Sequence, residues 1–287
     1  MKLEGNKMRE IKAAEITQLV EKLCIEACYV LSDDIYSELK CRSKSEKAPL
    51  GRQIIETIVE NADIARSERC PICQDTGMTV VFVEMGQDAH VTGGFIEDAI
   101  NQGVRQGYTK GYLRKSVVKD PLDRVNTGDN TPAIIHYEMM PGDKFHITVA
   151  PKGFGSENKS GLKMLTPSAG IPGIKKFITD TIATAGGNPC PPIIVGVGIG
   201  GTMERAAYLS KKALLRPVGS HSENETVAQL ERELLEEINK LGIGPCGFGG
   251  TTTALAVNIL INATHIAGLP VSVNIGCHAT RHAEGEL

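Results

Sequence analysis

The 287-residue chain has no tryptophan, and aromatic residues make up only 4% of it. A platform on which nucleobases stack needs aromatic faces, so single-stranded nucleic acid is a poor fit. Charge of one sign is also missing. The formal net charge is -3, which gives neither a nucleic-acid footprint nor attraction to an anionic membrane. No apolar run approaches the roughly 20 residues that span a bilayer. The segment Met1–Glu10 lacks the apolar core of a secretion signal. Internal repeats and low-complexity tracts are absent as well. Eight cysteines in an unexported chain are then expected as thiols or metal ligands rather than disulfides. These absences make the cytoplasm the expected compartment, with no nucleic acid and no membrane among the partners.

What is present is a hydrophobic fraction of 41%, enough for a substantial core. At roughly 150 residues per domain, the length suits one large domain or two ordinary ones. From about Arg9 to Arg66 the pattern is helical. Ile11, Ala14, Leu19, Leu23 and Ala27 share a face with Ile16 and Val20 beside them, and breaks fall at Ser32–Asp34 and Lys47–Gly51. From Thr79 onward strands and helices alternate. Strands are expected over 79–84, 133–138, 144–150, 190–198 and 270–276, and helices over 94–104, 172–185, 202–215, 225–240 and 251–266, with His265 ending the last. The fold class is therefore mixed α/β: an N-terminal helical region, 1–68, packed on a mixed-sheet region, 69–287, the two forming one integrated domain.

The densest chemistry lies in Cys70-Pro-Ile-Cys73-Gln74-Asp75-Thr76-Gly77, at a helix-to-strand junction. Four readings stand side by side: a redox dithiol, half of a zinc knuckle, an iron–sulfur ligand, and two buried thiols acting as small hydrophobes. Asp75 alone reads either as a functional carboxylate or as the Asx-turn residue ahead of Gly77. Cys24 and Cys28, four apart on a helix, read as core filling. His136 and His146 read as strand-surface residues. The glycine-rich loop Pro151–Lys159 could cradle an anion. Gly196-Val-Gly198-Ile-Gly-Gly201 fits a dinucleotide fingerprint locally. The second strand with an acid roughly 20 residues on is replaced by Arg216-Pro217 and a charged helix, so only the affinity of a helix N-terminus for a negative group survives. Cys73, Cys190 and Cys277 each border an expected strand. Three thiolates on a four-iron cluster would leave one iron open for Lewis-acid chemistry.

Cys73-Gln74-Asp75-Thr76-Gly77, Arg124-Val-Asn-Thr-Gly-Asp-Asn130, Lys152-Gly-Phe-Gly-Ser156, Gly200-Gly-Thr-Met-Glu-Arg205 and the Cys277 tail, in this order, resemble class I fumarate hydratases. The match is to their N-terminal domain, which is the separate alpha subunit in two-subunit forms, with L(+)-tartrate dehydratase alpha subunits as close relatives. The resemblance implies a [4Fe-4S] cluster on Cys73, Cys190 and Cys277, which selects Cys73 over Cys70. It implies substrate contacts from Gln74, Asp75, Arg114, Gly155, Asn158 and His265, with Asp75 as a proton-transfer partner. The implied activity is reversible hydration of fumarate to (S)-malate, with L(+)-tartrate dehydration as the alternative. The family's threonine base, a lysine and further arginines belong to the C-terminal domain, so a beta subunit in an alpha2beta2 assembly is the implied partner and a small dicarboxylate the implied substrate. Two readings of other classes are a non-catalytic scaffold or binding subunit and a nucleotide-binding oxidoreductase.

Overall fold

The computed structural model describes residues 8–287. In chain order its elements are β1 (Arg9–Lys12), α1 (Ala13–Tyr29), α2 (Asp33–Ser45), α3 (Pro49–Glu68), β2 (Met78–Gly86), β3 (Ala89–Thr92), α4 (Ile96–Lys110), β4 (Ile134–Met140) and β5 (Phe145–Lys152). There follow α5 (Phe154–Glu157), β6 (Gly161–Leu165), α6 (Gly170–Ala185), β7 (Ile193–Gly200), α7 (Met203–Ala213), α8 (Glu225–Lys240), β8 (Ala254–Asn262), β9 (Leu269–Gly276) and β10 (Ala283–Glu286). Helices and mixed sheets make up the chain, as the alternating pattern implies. Among the described residues no helix is long and apolar enough to cross a membrane.

The chain forms two compact units. One comprises the residues up to Val30, Ile64–Lys152 and Arg281–Leu287; the other comprises Leu31–Asp63 and Gly153–Thr280. The first unit is organised on the sheet β10-β5-β2-β4. β2 is one of its two inner strands, in keeping with Val80–Val83, a continuous apolar run buried on both faces. It pairs parallel with β4 and antiparallel with β5. β4 and β5 follow one another in sequence yet do not pair; β2 lies between them. Residues 9–12, read as the start of a helix, instead form β1 and pair with β3. α1 buries Ile16, Val20, Leu23, Cys24, Ala27 and Cys28 at helical spacing. α4 lies directly against it. A Cβ on Gly103 would fall 2.7 Å from the Thr17 carbonyl oxygen, and one on Gly107 would fall 2.8 Å from the Cys24 Cβ. Those glycines set how closely the two helices approach.

The second unit has the sheet β6-β9-β7-β8. β7 and β8 are parallel, while β9 runs antiparallel to β7. Alternation along β7 separates two layers. Val195 and Val197 point into a core with Ile178 and Ile182 of α6 and Leu234 and Ile238 of α8. Gly196 and Gly198 face α7, where added Cβ atoms would fall 2.1 Å from the carbonyl oxygens of Ser210 and Ala206. The first glycines of the fingerprint-like run therefore serve helix-on-strand packing.

One element differs in kind from the sequence reading. The expected helix 251–266 is the strand β8. Ala254–Ile259 is buried without a break and is apolar except for Asn258. A short continuous apolar run carries no periodicity that separates a helix from a doubly buried strand. β-branched Val257, Ile259 and Ile261 on alternate positions favour the extended form. His265 consequently lies in the connection after β8.

Candidate active site

In the first unit the turn between α3 and β2 carries the Cys73–Gly77 cluster. Gly77 has φ +73°, and a Cβ there would fall 2.6 Å from the Lys152 carbonyl, so glycine is required both for the turn and for the approach to β5. The Asp75 carboxylate accepts the Gly77 N–H at 3.0 Å, which is the Asx-turn geometry. The Asp75 N–H donates to Cys73 Sγ at 3.4 Å. One short turn thus holds a thiol sulfur, a carboxylate and the exposed Gln74 amide.

Arg114 is joined to this turn through its backbone. The Thr76 hydroxyl accepts from the Arg114 N–H at 2.9 Å and donates to the Arg114 carbonyl at 3.2 Å, a link between residues 38 apart in sequence. The Arg114 side chain is exposed. The far side of the turn is held from below. The buried Tyr108 hydroxyl donates to the Thr76 carbonyl at 2.7 Å. Asn130, fully buried with φ +64°, donates to the Gly77 carbonyl at 3.2 Å and accepts the Ser116 N–H at 2.7 Å. Arg281 donates to the Asp75 carbonyl. Burial pushes the Cys28 thiol up to about 11, against the charge and hydrogen bond of Arg281, with Cys73 and Asp75 adding negative charge nearby. Thr76, Tyr108, Asn130 and Arg281 had no role in the sequence reading. Asn130 and Arg281 stood inside or beside quoted motifs, but nothing in their spacing marked them.

In the second unit Cys190 and Cys277 are brought together through their neighbours. Cys190 is exposed with φ +55°. Its carbonyl accepts the His278 N–H at 3.2 Å and lies 2.9 Å from His278 Nδ1. The loop around Cys190 packs on the segment of Cys246, whose N–H donates to the Pro191 carbonyl at 2.7 Å; burial raises the Cys246 thiol. Gly155 and Asn158 share this end of the sheet. A Cβ on Gly155 would fall 3.8 Å from the Asn188 carbonyl. Glu157, between them, bonds Lys211 at 2.6 Å and Asn274 at 3.1 Å, and Ser160 accepts the Ile275 N–H at 3.1 Å. The loop expected as an anion cradle is therefore one turn of helix, α5, pinned to β9.

His265 stands elsewhere. It lies past the carboxyl ends of the parallel strands β7 and β8, in a cavity of about 600 Å³ lined also by Thr202, Arg205, Asn262 and Thr264. The eight residues of β7, roughly 25 Å at about 3.3 Å per residue, separate that end from the Cys190 and Cys277 end. Cys24 and Cys28 are buried in the core of the first unit, as their spacing implied. No disulfide joins any of the eight cysteines.

Accessible thiols are the donors that an iron–sulfur cluster takes. Cys73, Cys190 and Cys277 are unbridged thiols with solvent access, unlike Cys24 and Cys28. Cys73 Sγ already accepts a backbone N–H, the kind of bond that tunes cluster sulfurs. Among the described residues no three His, Cys, Asp or Glu side chains close up on a single metal ion.

A carboxylate and a thiol in one turn, with an exposed arginine tied to it, suit chemistry on a carboxylate-bearing substrate. Comparison with known proteins gives the class: the protein is a hydro-lyase. It belongs to the family described as Fumarate hydratase (Fumerase), which it matches over residues 17–286. A Methanocaldococcus jannaschii protein provisionally named an L(+)-tartrate dehydratase subunit alpha is 44% identical over 275 residues, covering 94% of this chain and 96% of that one. The L(+)-tartrate dehydratase subunit alpha of Escherichia coli (strain K12) is 35% identical over 291 residues, covering 100% of this chain and 94% of its own.

Proposed function

We propose that this chain is the cluster-bearing alpha subunit of a hydro-lyase that reversibly hydrates fumarate to (S)-malate. The observation that carries the reading is the two-way hydrogen bond between Thr76 and the Arg114 backbone. It sets a carboxylate-binding cation beside the turn that holds Cys73, Gln74 and Asp75. Cys73, Cys190 and Cys277 hold a [4Fe-4S] cluster. When bound, that cluster supplies an iron without a protein ligand, a Lewis acid toward the substrate's oxygens.

The chain's own residues do the rest. Arg114 takes one substrate carboxylate with the paired bonds of a planar guanidinium. Gln74 donates its amide N–H to a substrate oxygen. Asp75 exchanges a proton with the substrate hydroxyl oxygen, which otherwise would leave as hydroxide. Gly155 and Asn158 offer an N–H and an amide to the second carboxylate. His265 is the remaining substrate contact named by the family resemblance, although strand length separates it from Cys190 and Cys277 within its own unit.

The relatives' names, as alpha subunits, support a beta subunit as partner; the pair is proposed as an alpha2beta2 assembly working in a reducing cytoplasm. That partner supplies the base for the unactivated C–H proton at C3. The same names favour a second reading of the substrate, L(+)-tartrate.

The test is anaerobic reconstitution of the chain with and without its beta subunit, followed by assays on fumarate, (S)-malate and both tartrate enantiomers. Loss of positioned acid–base chemistry costs roughly 10²–10⁴-fold. The chain alone should therefore turn over negligibly and the pair should be active. Turnover confined to L(+)-tartrate would replace the first reading by the second. Robust turnover by the chain alone would remove the need for a partner's base.

A further inference from the structure

Arg281 is a charged side chain only 4% exposed. Burying a guanidinium is costly unless hydrogen bonds and opposite charge compensate it. Part of that compensation comes from the Cys73–Gly77 turn. The guanidinium donates to the backbone carbonyl of Asp75, and Cys28, which feels it by charge and a hydrogen bond, also feels Cys73 and Asp75. Tyr108 and Asn130 hold the carbonyls of Thr76 and Gly77, neutral donors on neutral acceptors. At Asp75 the donor to the backbone carbonyl is a buried cation. A neutral donor would suffice for architecture; a buried cation is favoured where the turn above it carries negative charge.

We infer that Arg281 is a positioning residue for the Cys73–Gly77 turn, fixing the Asp75 backbone and supplying positive charge beneath it. The inference rests on the proposed role of Asp75. Arg114 is held through Thr76 by bonds that do not involve Arg281. Substrate binding and turnover should therefore separate when Arg281 changes. Arg281→Gln keeps a donor without charge, and Arg281→Lys keeps the charge without the fork.

The experiment uses the full chain paired with its beta subunit for kinetics, and the full cluster-free chain for hydrogen exchange at residues 72–78. Misplacing a reacting group by about 1 Å costs on the order of 100-fold. The expected result is roughly 100-fold lower kcat in Arg281→Gln with KM changed less than about threefold, partial recovery in Arg281→Lys, and about tenfold faster exchange in the turn. Far-UV circular dichroism checks folding, and Arg281→Lys decides the matter should the Gln variant not fold. Exchange in the turn at the wild-type rate, or faster exchange with unchanged kcat, overturns the assignment. Wild-type protein inactive on every acid tested would instead sink the proposed activity, and the exchange arm would still report whether Arg281 holds the turn.

Discussion

Replacing Asp129 by Asn tests the electrostatics of the segment that ends at Asn130. Asp129 Oδ2 meets Arg105 Nε at 2.8 Å. Its Oδ1 accepts the Thr131 N–H at 3.0 Å and the Thr131 hydroxyl at 2.7 Å. Burial alone would raise this carboxyl, but the bonds from Arg105 and Thr131 outweigh it and bring it from an ordinary 3.8 down to about 2. Each tenfold change in proton affinity is worth about 1.4 kcal/mol, so the ceiling is roughly 2 kcal/mol. Arg105 is 44% exposed and Asp129 26%. Solvent screening of the arginine brings the expected value to about 1–2 kcal/mol.

The sign follows from the depressed value. The contribution is complete above the unfolded pKa, about 3.9, and is lost as pH falls toward the folded one. Asp129→Asn should unfold in less urea at pH 7, by about 1–2 kcal/mol. Close to half of that gap should close by pH 3 as the wild-type carboxylate protonates in the unfolded state. Urea melts of the full chain followed by far-UV circular dichroism measure both quantities. Equal stability at pH 7, or a gap that does not narrow between pH 5 and pH 3, would refute the reasoning.

Three further outcomes are expected. Ser in place of Cys73, Cys190 or Cys277 should each abolish the visible absorption of the reconstituted cluster, while Cys70→Ser keeps it; an indispensable Cys70 with a dispensable Cys73 reverses the ligand assignment. Arg114→Lys retains charge but loses the paired geometry. Charge-assisted hydrogen bonds are worth about 1.5–3 kcal/mol, so kcat/KM should fall roughly 10- to 100-fold with cluster absorption intact, and unchanged kinetics would return Arg114 to a surface role. Gly198→Ala places a methyl 2.1 Å from the Ala206 carbonyl oxygen. Forcing α7 off β7 should cost about 1–3 kcal/mol in urea unfolding, and a change under about 0.5 kcal/mol would contradict that packing.

Where the sequence was readable, a physical periodicity was present. The helices of α1, α4, α6 and α8 bury every third or fourth residue, and β2 and β7 are apolar runs next to glycine or proline. β8 was misread because its buried run has no period to count. The site divides in the same way. Cys73, Gln74 and Asp75 are neighbours in sequence, so their grouping could be seen without a fold. Arg114 entered only through family resemblance, since its bond to Thr76 spans 38 residues. Asn130 reaches Gly77 across 53 residues, and Arg281 reaches Asp75 across 206. Contacts that distant leave no local pattern, because each partner is chosen by tertiary packing alone.

The division of the first unit into three separated stretches also governs how the protein is made. Its inner strand β2 leaves the ribosome early, but β10 and Arg281 are translated only after the whole of Gly153–Thr280. Domains normally fold as they emerge, the N-terminal one first. Here the edge of β5 waits, unpaired with β10, while the second unit is synthesised. Contiguous halves of the gene would therefore each encode an incomplete sheet or a severed unit, and a peptide fused close behind Glu286 would burden the nascent enzyme at the step that closes its earlier-made half.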